Sequence, residues 1–298
     1  MITRRKALVG SAFGLMAAPF GLSALGELQA DSLEALERRS GGRLGVFITD
    51  TGSGRSIGHR ADERFSMCST FKMPLAAVIL READAGRLDL ATAVPFTRAD
   101  IVTYSPVTEP ALAQGSMTIA ALAEAAQVQG DNTAANLLLP LIGGPEGFTA
   151  ILRSLGDTET RLDRFETELN LGPPGELRDT TTPAAMAGLM TTLLTGDALS
   201  EPSRQRMIEW MVATGTGRAR IRAGLPAGWR AGDKTGSGIA PVMSNKYNDI
   251  AIVWPPGGSP LIVTAYFEGP GYFDDLRDED QAVLAEVGRI AADWIRPA

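Results

Sequence analysis

The chain has 298 residues, of which 44% are hydrophobic and 21% charged, enough for one large domain or two small ones with an ample core. Lys and Arg total 28 against 35 Asp and Glu; the formal net charge of -7 and pI of about 5.0 argue against nucleic acid and anionic membranes as partners. A single Cys and a single His rule out an intramolecular disulfide and make a His/Cys zinc site implausible, and a Ser-His-Asp triad would have only His59 to use.

Residues 1–30 read as an export signal. Arg4-Arg5-Lys6 precede an apolar run from Ala7 to about Leu25, and Leu28-Gln29-Ala30 offers a small-residue cleavage site. Thr3-Arg4-Arg5 resembles a twin-arginine signal, with a plain Sec signal as the alternative. Glycines and Pro19 interrupt the run, which disfavours a permanent membrane anchor. The expected product is a periplasmic or secreted protein that begins near Ala30.

A helix is expected from Asp31 to Ser40, with Leu33 and Leu36 at helical spacing. Arg43 to Thr49 reads as a strand, Thr51 to Gly54 as a turn, and Arg55 to His59 as the partner strand, with His59 at the surface. A helix starting at Ser69 follows. The long middle shows no clear strands. Its helical candidates are Thr118–Gln129, Asn132–Leu141, Pro145–Leu155, Pro183–Leu194 and Glu201–Thr214, punctuated by Gly and Pro. Strand patterns return at Arg230–Ser237, Asp249–Trp254 and Leu261–Phe267, and an amphipathic helix closes the chain at Asp278–Ile295. Strands at both ends and helices between them predict an α/β (α+β) fold. One antiparallel sheet is built from both chain ends and flanked by the terminal helices, and a mostly helical lobe is inserted. Residues 31–65 and 215–298 form the α/β part of a 31–298 domain and 66–214 the lobe, with the site in the cleft between them.

Ser69 and Lys72 open the apolar stretch Leu75 to Leu80. Positions i and i+3 share a helix face, so the two side chains share one site at a helix start. A neutral amine beside a hydroxyl can take its proton, and a helix N-terminus turns backbone N–H groups toward a developing oxyanion. The flanking run is apolar nearly all round, which predicts a buried helix with Cys68 as a small core residue.

Three further pieces follow in order: Gly130-Asp131-Asn132, Glu166 to Asn170, and Lys234-Thr235-Gly236. With Asp131 to Asn136, Arg164 to Asn170, Arg178 to Pro183 and Asp233 to Gly236, the chain resembles the class A serine β-lactamases over nearly all of its mature length. The resemblance implies that Ser69 opens the lactam ring and becomes an acyl-ester. Lys72, or Glu166 through a water, would activate it, and Glu166 and Asn170 would hold the water that hydrolyses the ester. Arg164 and Asp179 would clamp the loop that carries Glu166. Lys234, Thr235 and Ser237 would receive the substrate carboxylate, and the N–H groups of Ser69 and Ser237 would form the oxyanion hole. Asn132 would bond the substrate's side-chain amide and Lys72, and Tyr104 would wall the cleft mouth. No cofactor or metal is implied; the partners are β-lactams, and the expected state is a monomer.

The sequence also departs from the family. Gly130 stands where a Ser usually protonates the lactam nitrogen, and a water bridging Lys72 and Lys234 is expected to take over, with slower acylation. Thr167 replaces a Pro whose preceding bond is often cis, so either a cis bond survives without proline or the backbone differs. Phe165 replaces a Trp and is expected to pack. Tyr247 stands where an Arg is usual, and Arg220 is the candidate substitute guanidinium. The stretch Gly238 to Lys246 is longer than in many relatives. The competing readings are a D-Ala-D-Ala peptidase and a penicillin-binding sensor that stays acylated. Glu166, Asn170 and their clamped loop discriminate against the first; the second is expected to carry a retained membrane helix and to lack Glu166.

Overall fold

The computed structural model describes residues 32–296, so the export signal expected at 1–30 lies outside the described residues. The chain begins with α1 (residues 32–40), β1 (Arg43–Asp50), β2 (Ser56–His59) and β3 (Phe65–Ser66). The central helix α2 (Lys72–Asp84) is followed by β4 (Ala93–Pro95), β5 (Ser116–Thr118), α3 (Ile119–Glu124), α4 (Asn132–Leu138) and α5 (Gly144–Ser154). Then come β6 (Thr180–Thr181), α6 (Pro183–Leu194), α7 (Glu201–Ala213) and α8 (Ile221–Gly224). The end of the chain supplies β7 (Arg230–Gly238), β8 (Lys246–Trp254), β9 (Leu261–Glu268) and α9 (Asp278–Ile295).

Five strands form one antiparallel sheet in the order β2-β1-β9-β8-β7. The N-terminal hairpin docks on the C-terminal meander through β1 and β9, from Arg43 opposite Glu268 to Asp50 opposite Leu261. The sheet is thus closed by the two ends of the chain, as the strand patterns predict. Each strand's alternation divides two cores. Ile250, Ile252 and Ile262 face the helical lobe, whereas Ala251, Val253, Leu261 and Val263 face α9 and α1. On that second face Leu284, Val287, Ile290 and Trp294 of α9 and Leu33 and Leu36 of α1 complete the cover. Within the lobe, Met73 and Leu75 to Leu80 of α2 have no exposed surface, so this helix is the hub that the other helices surround. Thr118, Asp131, Thr182 and Ser200 cap the helices that follow them, each accepting a backbone N–H from three residues on.

The structure differs from expectation in several places. The middle of the chain contains two small ladders, β3 with β6 and β4 with β5, of two and three pairs each. Runs so short carry no readable alternation. Ser69 sits on a 3-10 turn, Cys68–Phe71, and the α-helix starts at Lys72. His59 is not a plain surface residue: its Nε2 lies 2.8 Å from Glu37 Oε2, and Glu37 also pairs with Arg60. That cluster ties α1 to the β1–β2 hairpin.

The face of the sheet away from the lobe depends on α9 for its cover. Leu284→Ala is expected to cost about 2–5 kcal/mol by urea unfolding, because a fully buried side chain is removed and a cavity left. Activity at 25 °C should be unaffected, since the lesion lies across the sheet from Ser69.

Candidate active site

Lys72 is the meeting point of the site. Its Nζ lies 2.9 Å from Ser69 Oγ, 2.9 Å from the Gly130 carbonyl oxygen and 2.8 Å from Glu166 Oε1, and it donates to Asn132 Oδ1. Both side chains of the Lys72–Glu166 pair are fully buried. The Ser69 hydroxyl donates to Glu166 Oε1 at 3.2 Å, and Asn170 Nδ2 donates to Glu166 Oε2 at 2.6 Å. Asn170 Oδ1 is buried with no hydrogen-bond partner among the described residues, an acceptor beside that carboxylate. Asn132 Nδ2 donates to the Thr103 carbonyl at 2.7 Å, which fixes which end of the amide faces Lys72. The preceding Cys68 is wholly buried, and burial pushes its thiol up to about 12, so it is an inert core residue as expected.

Glu166 reaches this point on a loop, residues 161–179, whose neck is tied by charge. Arg164 Nε lies 2.5 Å from Asp179 Oδ2, and Asp179 Oδ1 accepts the backbone N–H groups of Asp163 and Arg164 at 2.7 and 3.0 Å. Asp179 is fully buried, so the expected clamp is a buried charge-assisted network rather than two surface charges. The Glu166–Thr167 peptide is cis, without proline. Asn136 grips the residue before it: its Oδ1 accepts the Glu166 N–H and its Nδ2 donates to the Glu166 carbonyl, both at 2.8 Å. Phe165, expected to pack, is 42% exposed.

Strand β7 forms the opposite wall. Its approach is so close that a Cβ at Gly236 would lie 2.6 Å from the Met67 carbonyl oxygen and 3.1 Å from the Thr70 nitrogen. Only glycine lets the strand lie against the turn that carries Ser69. Lys234 is buried, and its Nζ donates to the Thr235 carbonyl at 2.8 Å. Burial, and then the positive charge of Lys72, push it down to about 7. Arg220 is 2% exposed rather than facing solvent. It donates to the Gly236 and Asn248 carbonyls at 2.9 and 2.7 Å and to Ser237 Oγ at 2.6 Å. The guanidinium expected to substitute thus lies in the cleft wall, bonded to the Ser237 hydroxyl.

Gly130 follows a π-helical turn, Ala125–Gln129, and has φ +72. A Cβ there would lie 3.5 Å from Tyr104 Cε1 and 3.6 Å from Lys234 Nζ, ordinary contacts, so the missing side chain would point between the aromatic wall and that ammonium. Tyr104 itself is 56% exposed at the mouth. Ser69, Tyr104, Gly130, Asn132, Asn170, Arg220, Lys234, Thr235 and Ser237 all line one cleft of about 360 Å³. The structure therefore brings these sequence-predicted residues together, with Lys72 and Glu166 buried behind the lining, bonded to Ser69, Asn132 and Asn170.

Three contributors carry no expected role from sequence. Asn136 holds the Glu166 peptide, Thr216 Oγ1 lies 2.7 Å from Thr235 Oγ1, and Asn248 Nδ2 donates to the Ser66 and Met67 carbonyls behind Ser69. Asn136 and Asn248 sit in recognisable motif stretches, but their partners are distant in sequence.

The sequence matches the Beta-lactamase enzyme family over residues 29–295. It is 49% identical to Beta-lactamase AST-1 of Nocardia asteroides over 258 residues, 87% of this chain and 81% of that one. It is 43% identical to the carbapenem-hydrolyzing beta-lactamase KPC of Klebsiella oxytoca over 281 residues, 93% and 92% of the two chains. Among solved structures, an ancestral class A β-lactamase superposes with a TM-score of 0.84 at 53% identity, covering 89% of this chain and 99% of that one. A β-lactamase from Xanthomonas campestris pv. campestris gives 0.86 at 45% identity, covering 91% and 99%. Sequence, fold and site agree, and the chain belongs to the β-lactamase enzyme family as a class A serine β-lactamase.

Proposed function

We propose that the chain hydrolyses β-lactams in two steps, acylation of Ser69 followed by attack of a water activated by Glu166. The observation that carries this reading is the placement of Glu166: one carboxylate oxygen is within reach of Ser69 Oγ and Lys72 Nζ, and the other is held by Asn170. In acylation the Ser69 proton passes to Lys72, which gives its own proton to Glu166, or toward Glu166 itself. The Ser69 Oγ–carbon bond forms, the lactam C–N bond breaks, and the ring nitrogen takes up a proton. In deacylation Glu166 takes a proton from water, the hydroxide adds to the ester carbon, and Ser69 Oγ leaves with a proton. The N–H groups of Ser69 and Ser237 receive the oxyanion in both steps, where one donor is typically worth about 2.7–4 kcal/mol. Lys234, Thr235, Ser237 and Arg220 hold the substrate carboxylate. Glu166→Gln is expected to lower kcat for benzylpenicillin by roughly 10²–10⁴-fold and to leave a Ser69 adduct visible by mass spectrometry. Undiminished turnover in that variant would reject the deacylation step.

With Gly130 there is no hydroxyl at 130 to protonate the departing nitrogen, and we assign that task to a water held between Lys72 and Lys234. Gly130→Ser has room for its side chain but must adopt a left-handed backbone. It is expected to lose about 1–2 kcal/mol of stability while its acylation rate rises at least about tenfold. Stopped-flow acylation with nitrocefin checks this; an unchanged rate would remove the idea.

Lys234 gives the reaction an alkaline limit. Its folded-state value of about 7 lies below the ordinary lysine value, so the free enzyme loses this charge as pH rises through about 7. kcat/KM for penicillins should fall over that interval, and Lys234→Arg, which stays charged, should abolish the limb. Stability moves the opposite way: above pH 7 the unfolded chain keeps a proton that the native state has lost, so this group adds stability as pH rises toward the ordinary lysine value.

We further read residues 1–30 as a cleaved export signal and residues 31–298 as one β-lactamase domain, with 31–65 and 215–298 as its α/β part and 66–214 as its lobe. It would work as a monomer in the periplasm or outside the cell. No single helix among the described residues is long and apolar enough to cross a membrane.

A further inference from the structure

The N-terminal limb of the Glu166 loop is held by the Arg164–Asp179 pair and by Asn136, and Arg164 also donates to the Leu171 carbonyl at 2.8 Å, but the rest of the C-terminal limb, residues 172–176, has no such charged clamp among the described residues. Among the described hydrogen bonds, one ties that limb to the body of the protein: the Gly172 N–H donates to Met243 Sδ at 3.2 Å. Gly172 is pinned from the other side as well, since a Cβ on it would lie 1.9 Å from Ser66 Oγ. Met243 belongs to the long connection between β7 and β8. That connection turns on itself where the Met243 N–H meets the Ala240 carbonyl at 3.1 Å. Its far end is fixed by Asn245, whose N–H donates to the Gly271 carbonyl and whose side chain donates to the Phe273 carbonyl. The Met243 side chain is 4% exposed, so it is directed inward from a tethered turn.

Its end lies next to the catalytic loop. A Cβ at Gly238 would lie 3.0 Å from the Asn170 carbonyl oxygen, 3.1 Å from Met243 Cε and 3.2 Å from Cys68 Sγ. Three groups therefore converge on one point: the backbone of the residue that holds Glu166 Oε2, the neighbour of the nucleophile, and the Met243 methyl. A thioether suits the place, because it is flexible enough to fill an irregular gap and offers a weak acceptor to an otherwise unpaired N–H.

We propose that Met243 is a positioning residue for deacylation, a clip that holds the C-terminal limb of the Glu166 loop, and with it Asn170, against β7. The inference rests on the reading that Glu166 and Asn170 hold the hydrolytic water. The group the clip holds most directly is Asn170, which the proposed mechanism uses in deacylation alone, so the clip is expected to act on that step more than on acylation. In an acyl-enzyme mechanism, kcat/KM reports acylation, and a slower deacylation lowers kcat and KM together.

The test is benzylpenicillin kinetics on full-length Met243→Ala and Met243→Leu, with Glu166→Gln measured in parallel. Met243→Ala is expected to lower kcat about tenfold and KM by a similar factor, to leave kcat/KM within twofold, and to show a Ser69 adduct in the steady state. Met243→Leu keeps the buried bulk and loses the acceptor; the same split is expected at about threefold, in a protein that stays folded. A merely structural role would reduce kcat and kcat/KM together through loss of active protein, with KM unchanged, and that result in both variants would overturn the proposal. Unchanged kcat and KM in both would overturn it as well. If Glu166→Gln fails to accumulate adduct, the reading of the active site fails; if it accumulates adduct and the Met243 variants do not, only the clip fails.

Discussion

The structure turns on one buried ion pair. The Lys72 ammonium and the Glu166 carboxylate have no solvent-exposed side-chain surface, and both are taken out of water by the fold. Such a pair stands only where every remaining donor and acceptor is met, because breaking it leaves an uncompensated buried charge. Here the remaining partners come from three separate segments. Ser69 belongs to the 3-10 turn, the Gly130 carbonyl and Asn132 to the start of α4, and Asn170 to the loop. Each of these segments is anchored elsewhere, and the pair therefore fixes the sheet-facing turn, the lobe and the loop relative to one another. The same arrangement that satisfies the two charges puts a hydroxyl, an amine and a carboxylate within hydrogen-bond reach, which is the geometry that acyl transfer and its reversal by water require.

A second constraint is the sign of the cleft. The chain carries a net charge of -7, yet Lys234 and Arg220 line the cleft and Lys72 lies buried just behind it against Ser69. Buried carboxylates stand behind the wall: Asp233 pairs with Arg222, and Asp249 Oδ2 accepts the Ile221 N–H at 3.1 Å. Burial raises both acids, Asp233 to about 6, so their countercharge to Arg220 and Lys234 weakens as pH falls. A cationic pocket on an acidic protein focuses the field on small anions and gives nothing to polyanions, whose many contacts would meet the acidic surface. A β-lactam, with one carboxylate, is the right size of charge.

Much of this was legible in the sequence, for physical reasons that differ by element. The long strands and α9 carry strand-forming runs or a helical stripe over six or more residues, and their existence and order follow from that, though β8 begins at Lys246, three residues before the expected Asp249. The four motif residues Ser69, Lys72, Glu166 and Lys234 were legible as a set because their order and type match one chemistry. What stayed hidden depends on contacts between distant segments. Asn136 and Asn248 are ordinary polar residues until the fold sets them beside the Glu166 peptide and the Met67 carbonyl. The burial of Arg220 could not be read from its basic surroundings, because it comes from β7 and β8 closing over it. His59 read as surface because nothing local names Glu37 as its partner, 22 residues earlier.

Gly130 shows how far a motif can change without the site being dismantled. What the structure takes from this position is its backbone. The carbonyl oxygen lies 2.9 Å from Lys72 Nζ, and the left-handed φ of +72 turns the chain from the π-helical segment into the Asp131 cap of α4. Glycine performs that turn at no steric cost, whereas any other residue meets the close approach of its Cβ to the carbonyl that follows. The position therefore sets two demands in opposition. The backbone favours glycine, and the proposed protonation of the lactam nitrogen favours a hydroxyl. On the proposed reading this chain has met the first and left the second to a water beside Lys234, which borders the gap and which burial pushes down to about 7. A proton donor close to its own titration point is able to hand a proton across an intervening water and recover it, so on that reading the loss of the side chain falls on the rate of ring opening rather than on the shape of the cleft.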